Sequence, residues 1–292
     1  MTTAAMSANI NFSLLKRFLG DYPFQPATAL WRSIEIGRVL AYPFPEGLGL
    51  DLGCGDGHLT KIILEQVGER DLVGIDIDPQ ETVLAKSYDF YQRIHTIKAD
   101  NIPETDATFD FIFSNSVLEH IENIEAVLGE VARVLKPGGI FLFTVPGDEF
   151  HDCLLGSVFP WVSRKTYLQE LDRRVAHQRY WSEENWKNIL DLHHLKIERV
   201  EQYLTKAEIR RWENISRLTA GVLYGLFGKR KNPIEIQRTL GLRNANTKLS
   251  NPFLINLIAQ IITFNLKTES TPDRELNGCL MIQARKSENS VN

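Results

Sequence analysis

The sequence predicts an α/β protein built on a doubly wound, mostly parallel sheet, and three stretches carry that expectation. The apolar run Leu48-Gly49-Leu50 leads through DLGCGDG (Asp51 to Gly57) into a segment where Leu59, Ile62 and Ile63 recur at helical spacing. A second run, LVGIDIDP (Leu72 to Pro79), carries its first acid, Asp76, 19 residues beyond Gly57. A third, GIFLFTVP, is too apolar to have a wet face, as expected in the middle of a parallel sheet.

Composition bounds the function. At 292 residues, 43% hydrophobic and 24% charged, the chain can bury a full core. A formal charge of −4 argues against a general nucleic-acid binder, which would show a basic excess. Cys54, Cys153 and Cys279 are odd in number and far apart, so they suggest neither a disulfide framework nor a zinc cluster, and no metal is expected. The first twenty residues lack the apolar core of a signal peptide, and no stretch reaches the roughly 18 apolar residues of a membrane span. The expectation is a cytoplasmic protein, with no signal for an oligomeric state.

In chain order, residues 1–46 read as a leader and a covering helix. Leu30, Trp31 and Ile34 share a face over 27–41, and Pro43 and Pro45 stop the helix. Then comes the glycine-rich turn. Glycines allow a tight strand-to-helix turn and close approach of backbone to a ligand. With Asp51 and Asp56 among Gly53, Gly55 and Gly57, the loop is a poor cradle for phosphate and suits a cationic ligand that also offers an amine. Asp76 falls where doubly wound folds place an acid that accepts from ribose hydroxyls. Asp78 before Pro79 reads as a helix N-cap.

IHTIKADN predicts a third strand ending at Asp100-Asn101, and FDFIFSNSVLEHI a fourth strand with the loop after it. Glu119-His120 is expected to open a helix through Ile121, Ile124, Val127, Leu128, Val131 and Leu135, stopped by LKPGG. After Pro146, GDEFHDCLLGSVFPWV has no assignable pattern. Ser182 with Asn185 marks a capped helix start, with Trp186, Ile189 and Leu190 buried. LKIERVEQYL and CLMIQARK read as the last two strands. Between Leu204 and Ser250 ten Lys or Arg face three Glu and no Asp, beside the apolar stretches 218–228 and 252–266.

DLGCGDG resembles the first motif, acidic-x-Gly-x-Gly-x-Gly, of the class I S-adenosylmethionine-dependent methyltransferases. Together with the second-strand acid, FDFIFSNSVLEHI and LKPGG, in that order, it resembles their small-molecule, type 11-like branch from Leu48 to Pro146. The resemblance implies a Rossmann-like seven-stranded sheet with an antiparallel last strand, formed by residues 47–203 and 276–287; the helical, basic and apolar insertion expected over 204–275 departs from that bare fold. It implies S-adenosyl-L-methionine as cofactor, held by Asp51, Gly53, Cys54, Gly55, Gly57, Asp76, Ile77, Asp100, Asn101 and Ser116, with Asp100 accepting from the adenine amino group. The Asn-Pro-Pro-Tyr motif of amino-directed relatives is absent; Ser114-Asn115-Ser116 stands there.

The expected activity is methyl transfer to a small molecule, with a hydroxyl favoured as acceptor. A hydroxyl acceptor calls for a base, and imidazole suits proton removal near neutrality. His151, His120 and His177 are the candidates because they fall on segments opening at the carboxyl ends of strands; His58, His95, His193 and His194 are not expected there. Alternatives are an acceptor on a lipid or lipid-linked sugar, reached through peripheral membrane contact by the insertion, and a cofactor-binding scaffold without catalysis. The insertion reads as a lid, an interface or a membrane-surface element.

Overall fold

The computed structural model describes residues 10–221, 248–266 and 276–288. Two helices come first, α1 (Phe12–Asp21) and α2 (Pro26–Val39). The alternating part follows as β1 (Gly49–Leu52), α3 (His58–Val67), β2 (Leu72–Asp76), α4 (Pro79–Ala85), β3 (Tyr91–Thr96), β4 (Phe109–Asn115), α5 (Ile124–Val134) and β5 (Leu135–Pro146). After it come α6 (Phe150–Cys153), α7 (Arg164–Val175), α8 (Glu183–Leu192), β6 (Leu195–Thr205), α9 (Lys206–Ser216), α10 (Pro252–Thr263) and β7 (Asn277–Lys286).

The seven strands form one sheet in the order β3-β2-β1-β4-β5-β7-β6. β1 pairs parallel with β2 and β4, β2 with β3, and β4 with β5, while β7 runs antiparallel to β5. This is the expected Rossmann-like, doubly wound arrangement. The strand order reverses at β1, between β2 and β4, and in open α/β sheets ligands bind beyond the carboxyl ends of the strands at such a switch point.

The chain divides into two compact units. One comprises Met1–Arg38, Glu149–Ala176 and Tyr203–Gly278; the other comprises Val39–Asp148, His177–Gln202 and Cys279–Asn292. In the second unit the core is a single apolar cluster. Leu50, Val73, Ile112 and Phe143 on the strands, Val127 and Val131 on α5, and Trp186 and Leu190 on α8 are all buried in it. The capping box of α8 is present, Ser182 and Asn185 bonding each other's backbone.

In the first unit α1 packs on α10, with the Leu249 N–H donating to the Gly20 carbonyl at 2.9 Å. Trp31 makes edge contacts with Phe150 and Trp212 at ring distances of 5.9 and 5.2 Å. Glu213, 1% exposed, accepts from the Leu155 N–H at 2.6 Å, the Gly156 N–H at 3.2 Å, the Tyr167 hydroxyl and Arg217.

Several boundaries differ from expectation. β2 stops at Asp76, short of Pro79, because Asp78 already caps α4 through the Gln80 N–H. β3 begins at Tyr91 and ends at Thr96, since it is an edge strand whose pairing runs out where Asp76 meets Thr96. Asp100 and Asn101 therefore lie in an exposed turn beyond it. Glu119 and His120 belong to a 3-10 turn, Leu118–His120, and α5 starts only at Ile124 because Asn123 caps it through the Ala126 N–H.

The helix ends at Val134, just before LKPGG, as expected, but LKPGG is already strand rather than a turn. Leu135 pairs with Phe109 and Ile140 with Phe111, and the residues between bulge at Gly138, whose φ is +76°. Lys136 bonds Asp110 on β4 at 2.7 Å, and Arg285 donates to the Gly138 carbonyl at 2.6 Å, holding the bulge to the sheet. Over the apolar stretch 252–266 only Ala259 and Ile262 of α10 are buried; Phe253, Ile261 and Phe264 are exposed. Residues 222–247, with Lys229, Arg230 and Lys231, lie outside the described residues.

Candidate functional site

The turn from β1 to α3 is shaped by three glycines with left-handed φ: Gly53 at +82°, Gly55 at +53° and Gly57 at +76°. Their reasons differ. A Cβ on Gly53 would stand 2.3 Å from the Val117 side chain, and one on Gly57 2.9 Å from Tyr88. A Cβ on Gly55 would meet nothing closer than Glu81 at 3.9 Å, so the crest of the loop is open. The sequence suggests that a side chain at Gly53 would fill ligand space; the structure puts Val117 there.

β2 anchors this loop. The Gly53 and Cys54 N–H groups donate to the Ile75 carbonyl at 2.7 and 3.0 Å. The Gly55 N–H donates to Asp76 Oδ2 at 2.9 Å, and the Asp78 N–H to Asp76 Oδ1 at 2.8 Å. A carboxylate offers about four lone-pair positions, so each oxygen of Asp76 retains one for a ligand hydroxyl. Ile77, next in the chain, is 62% exposed.

Asp51 sits beneath the loop, buried. Thr60 Oγ1 donates to its Oδ2 at 2.6 Å and the Tyr91 hydroxyl donates to the same atom. Burial raises its carboxyl to about 6, a rise opposed by those two donors and reinforced by Asp76. Cys54 is buried, and burial followed by the charges of Asp51 and Asp76 drives its thiol far up, so it serves as packing rather than as a nucleophile. Asp56 accepts from the His58 N–H at 3.0 Å. His58 thus opens α3 at the carboxyl end of β1, where the sequence reading does not expect it, with Nδ1 3.2 Å from the Tyr88 hydroxyl.

Asp100 and Asn101 stand on the turn whose next residue, Ile102, is pinned by Glu130 and Arg133 through its N–H and carbonyl. Ser116, φ +51°, follows β4 and donates its N–H to Thr144 Oγ1 at 3.0 Å. Val117 comes next, and then the 3-10 turn with Glu119 and His120.

The segment 177–179 is stitched to that turn. The Gln178 N–H donates to the Glu119 carbonyl at 2.7 Å, and Arg179 donates to the carbonyls of Leu118 and Glu122. His120 and His177 are brought together, their rings 5.1 Å apart, with Glu119 buried beside them. His151 belongs to the other unit, where its Nε2 lies 2.9 Å from Asp172 Oδ1. Sequence reasoning missed Glu119, Arg179, Thr60, Tyr91 and Val117 as site-forming residues. The adjacency of Glu119 to His120 and the spacing His177-x-Arg179 were the available signals for the first two; nothing local marked the others.

A switch-point glycine loop, an acid bonded to it from the neighbouring strand and an antiparallel β7 define the class I S-adenosylmethionine-dependent methyltransferase fold. Residues 50–143 match the family model described as a methyltransferase domain, type 11. An uncharacterized methyltransferase of Schizosaccharomyces pombe is 30% identical over 154 residues, 44% of this chain and 55% of that protein. Dimethylglycine N-methyltransferase of Parasynechococcus marenigrum is 34% identical over 41% of this chain and 45% of its own. The chain thus spans about half the length of these relatives. Among solved structures the cyclase SpnF superimposes with a TM-score of 0.55 at 17% identity, over 94% of each chain.

Proposed function

We propose that the chain is a methyltransferase that uses S-adenosyl-L-methionine to methylate a small molecule, with a hydroxyl as acceptor. The observation that carries the reading is Asp76, presented at the end of β2 and bonded to the open glycine loop, where its remaining lone pairs suit two ribose hydroxyls. Asp51, Asp56 and Asp76 place acidic groups around the loop, which favours a cationic ligand over a phosphate. Gly55, with open space over it, suits backbone approach to that ligand, and Ile77 offers an exposed apolar surface for a base. Cys54, Gly53 and Gly57 shape the turn, and Asp100, Asn101 and Ser116 complete the proposed binding set.

When bound, the cofactor supplies an electrophilic methyl on a positively charged sulfur, so the protein's task is alignment and, for a hydroxyl acceptor, removal of a proton. In the unit that carries the loop, His120 and His177 are the imidazoles we assign to that proton. His151 is paired with Asp172 in the other unit, the geometry of an oriented base. The division into leader, core and a 204–275 insertion belongs to the same proposal.

Incubation with methyl-labelled cofactor and a panel of hydroxylated metabolites tests it. Label transferred to at least one hydroxyl supports the reading; tight cofactor binding with no transfer to any acceptor would favour the scaffold. The exposed Phe253 and Ile261 of α10 and Phe264 just after it favour a second reading, a lipid or lipid-linked acceptor met at a membrane surface. Among the described residues no helix is long and apolar enough to cross a membrane. Sedimentation with anionic vesicles separates the two: pelleting at low salt that fades as salt rises supports the membrane reading, and its absence supports the small molecule.

A further inference from the structure

Glu119, His120 and His177 present one ligand atom each, and the three atoms lie within 4.8 Å of one another. They come from two segments distant in sequence that backbone bonds lock together, the Gln178 N–H to the Glu119 carbonyl and Arg179 to Leu118 and Glu122. Their environments differ in a way that suits an ion. Glu119 is 2% exposed, whereas the His120 side chain is 41% exposed, so a buried carboxylate is faced by imidazoles that open toward solvent. His177 Nδ1 is 3.1 Å from the Tyr180 hydroxyl, an outer contact of the kind that orients a ligating imidazole and leaves its other nitrogen for the ion.

We propose that Glu119, His120 and His177 form a site for one divalent first-row transition ion, with an open coordination position for the acceptor's oxygen. The donor set decides the class: two imidazoles and a carboxylate lack the thiolates of a soft-metal site and the all-oxygen shell that magnesium or calcium takes. Three protein ligands leave a position free, as in catalytic rather than structural sites. Ligand bonds of about 2.0 to 2.2 Å in a tetrahedral site put donor atoms about 3.3 to 3.6 Å apart, so donors within 4.8 Å must close by up to about 1.5 Å, a movement to which rotation of the exposed His120 ring contributes. Arg179 is the nearby opposing charge. Its guanidinium is spent on the carbonyls of Leu118 and Glu122 and stacks over Trp181 at 5.2 Å.

The turn that carries Glu119 and His120 begins at Val117, which packs against the Gly53 position of the loop, so two of the three ligands and the loop share one turn of chain. The catalytic consequence rests on the methyl-transfer reading above. An acceptor hydroxyl bound at the open position becomes more acidic and releases its proton to solvent. Its oxygen forms the new bond to the methyl carbon while the sulfur–methyl bond breaks, and that electron pair returns to sulfur, which leaves as a neutral thioether. In this arrangement His120 and His177 act as ligands and solvent water takes the proton, which replaces the base role assigned to them above.

The test is calorimetric titration of the chelator-treated full chain with zinc chloride, repeated on His120→Ala, His177→Ala and the distant control His95→Ala, with circular dichroism to check that each is folded. One equivalent should bind with micromolar or tighter affinity, each site variant should weaken it at least tenfold, and His95→Ala should match wild type. Cobalt chloride should give a visible absorption band in wild type that His177→Ala loses. Wild type that binds no zinc, or affinity unchanged in both site variants, overturns the site. Zinc bound as expected in a protein that transfers no methyl leaves the ion site standing and removes the methyl-transfer reading; transfer in a protein that binds no metal does the reverse.

Discussion

The Gly55 N–H donates to Asp76 Oδ2 at 2.9 Å, so the carboxylate proposed to hold the ribose also fixes the crest of the glycine loop. Replacing Asp76 with Ala removes two charge-assisted bonds to the ligand, each worth about 1.5 to 3 kcal/mol. Cofactor affinity should fall by about a hundredfold or more by calorimetry. Asp76→Asn, which keeps an acceptor for the loop, should lose less.

Gly53→Ala and Gly55→Ala separate fold from ligand. At Gly53 the new methyl meets Val117 at 2.3 Å with φ at +82°, so the melting temperature should drop. At Gly55 the space is open and the strain of a left-handed residue costs only about 1 to 2 kcal/mol. There the loss of cofactor affinity should exceed the loss of stability. Equal stability losses in both variants would contradict the distinction.

Asp51 links stability to pH. Its carboxyl is raised from 3.8 to about 6 in the folded state, so between these values the native chain binds more protons than the unfolded one. Stability from this group is full below about pH 4 and is lost as pH rises through 6, on the order of 3 kcal/mol in all. Asp51→Asn keeps an acceptor for Thr60 and Tyr91 and carries no buried charge. In urea denaturation at pH 7 it should gain on wild type, with the gain vanishing near pH 4.

In the other unit, Glu213→Ala strands the N–H groups of Leu155 and Gly156, the Tyr167 hydroxyl and Arg217. Removing one partner of a buried charged network costs about 3 to 5 kcal/mol. Chemical denaturation should show a loss of that size, and a change below about 1 kcal/mol would mean the network is not holding the 155–167 segment.

The glycine loop and its acid were legible because their information is local: φ sign, a strand before, a helix after and a fixed step to Asp76. Boundaries set by pairing were not. Nothing within IHTIKADN states that β3 is an edge strand that ends where β2 ends, and nothing in LKPGG announces Lys136 bonding Asp110 across strands. The histidines show the same limit. Their positions after strands were readable, but the meeting of His120 with His177 depends on the Arg179 and Gln178 bonds to a turn some 60 residues earlier. The exposed face of α10 was not legible because apolar composition alone does not say which side packs.

The central claim is that the β1–α3 loop with Asp76 is an S-adenosyl-L-methionine site, and calorimetric titration of the full chain tests it most directly. One equivalent should bind with micromolar affinity, worth about 7 to 8 kcal/mol, and NADH should give no heat. Heat with NADH and none with S-adenosyl-L-methionine would contradict the account.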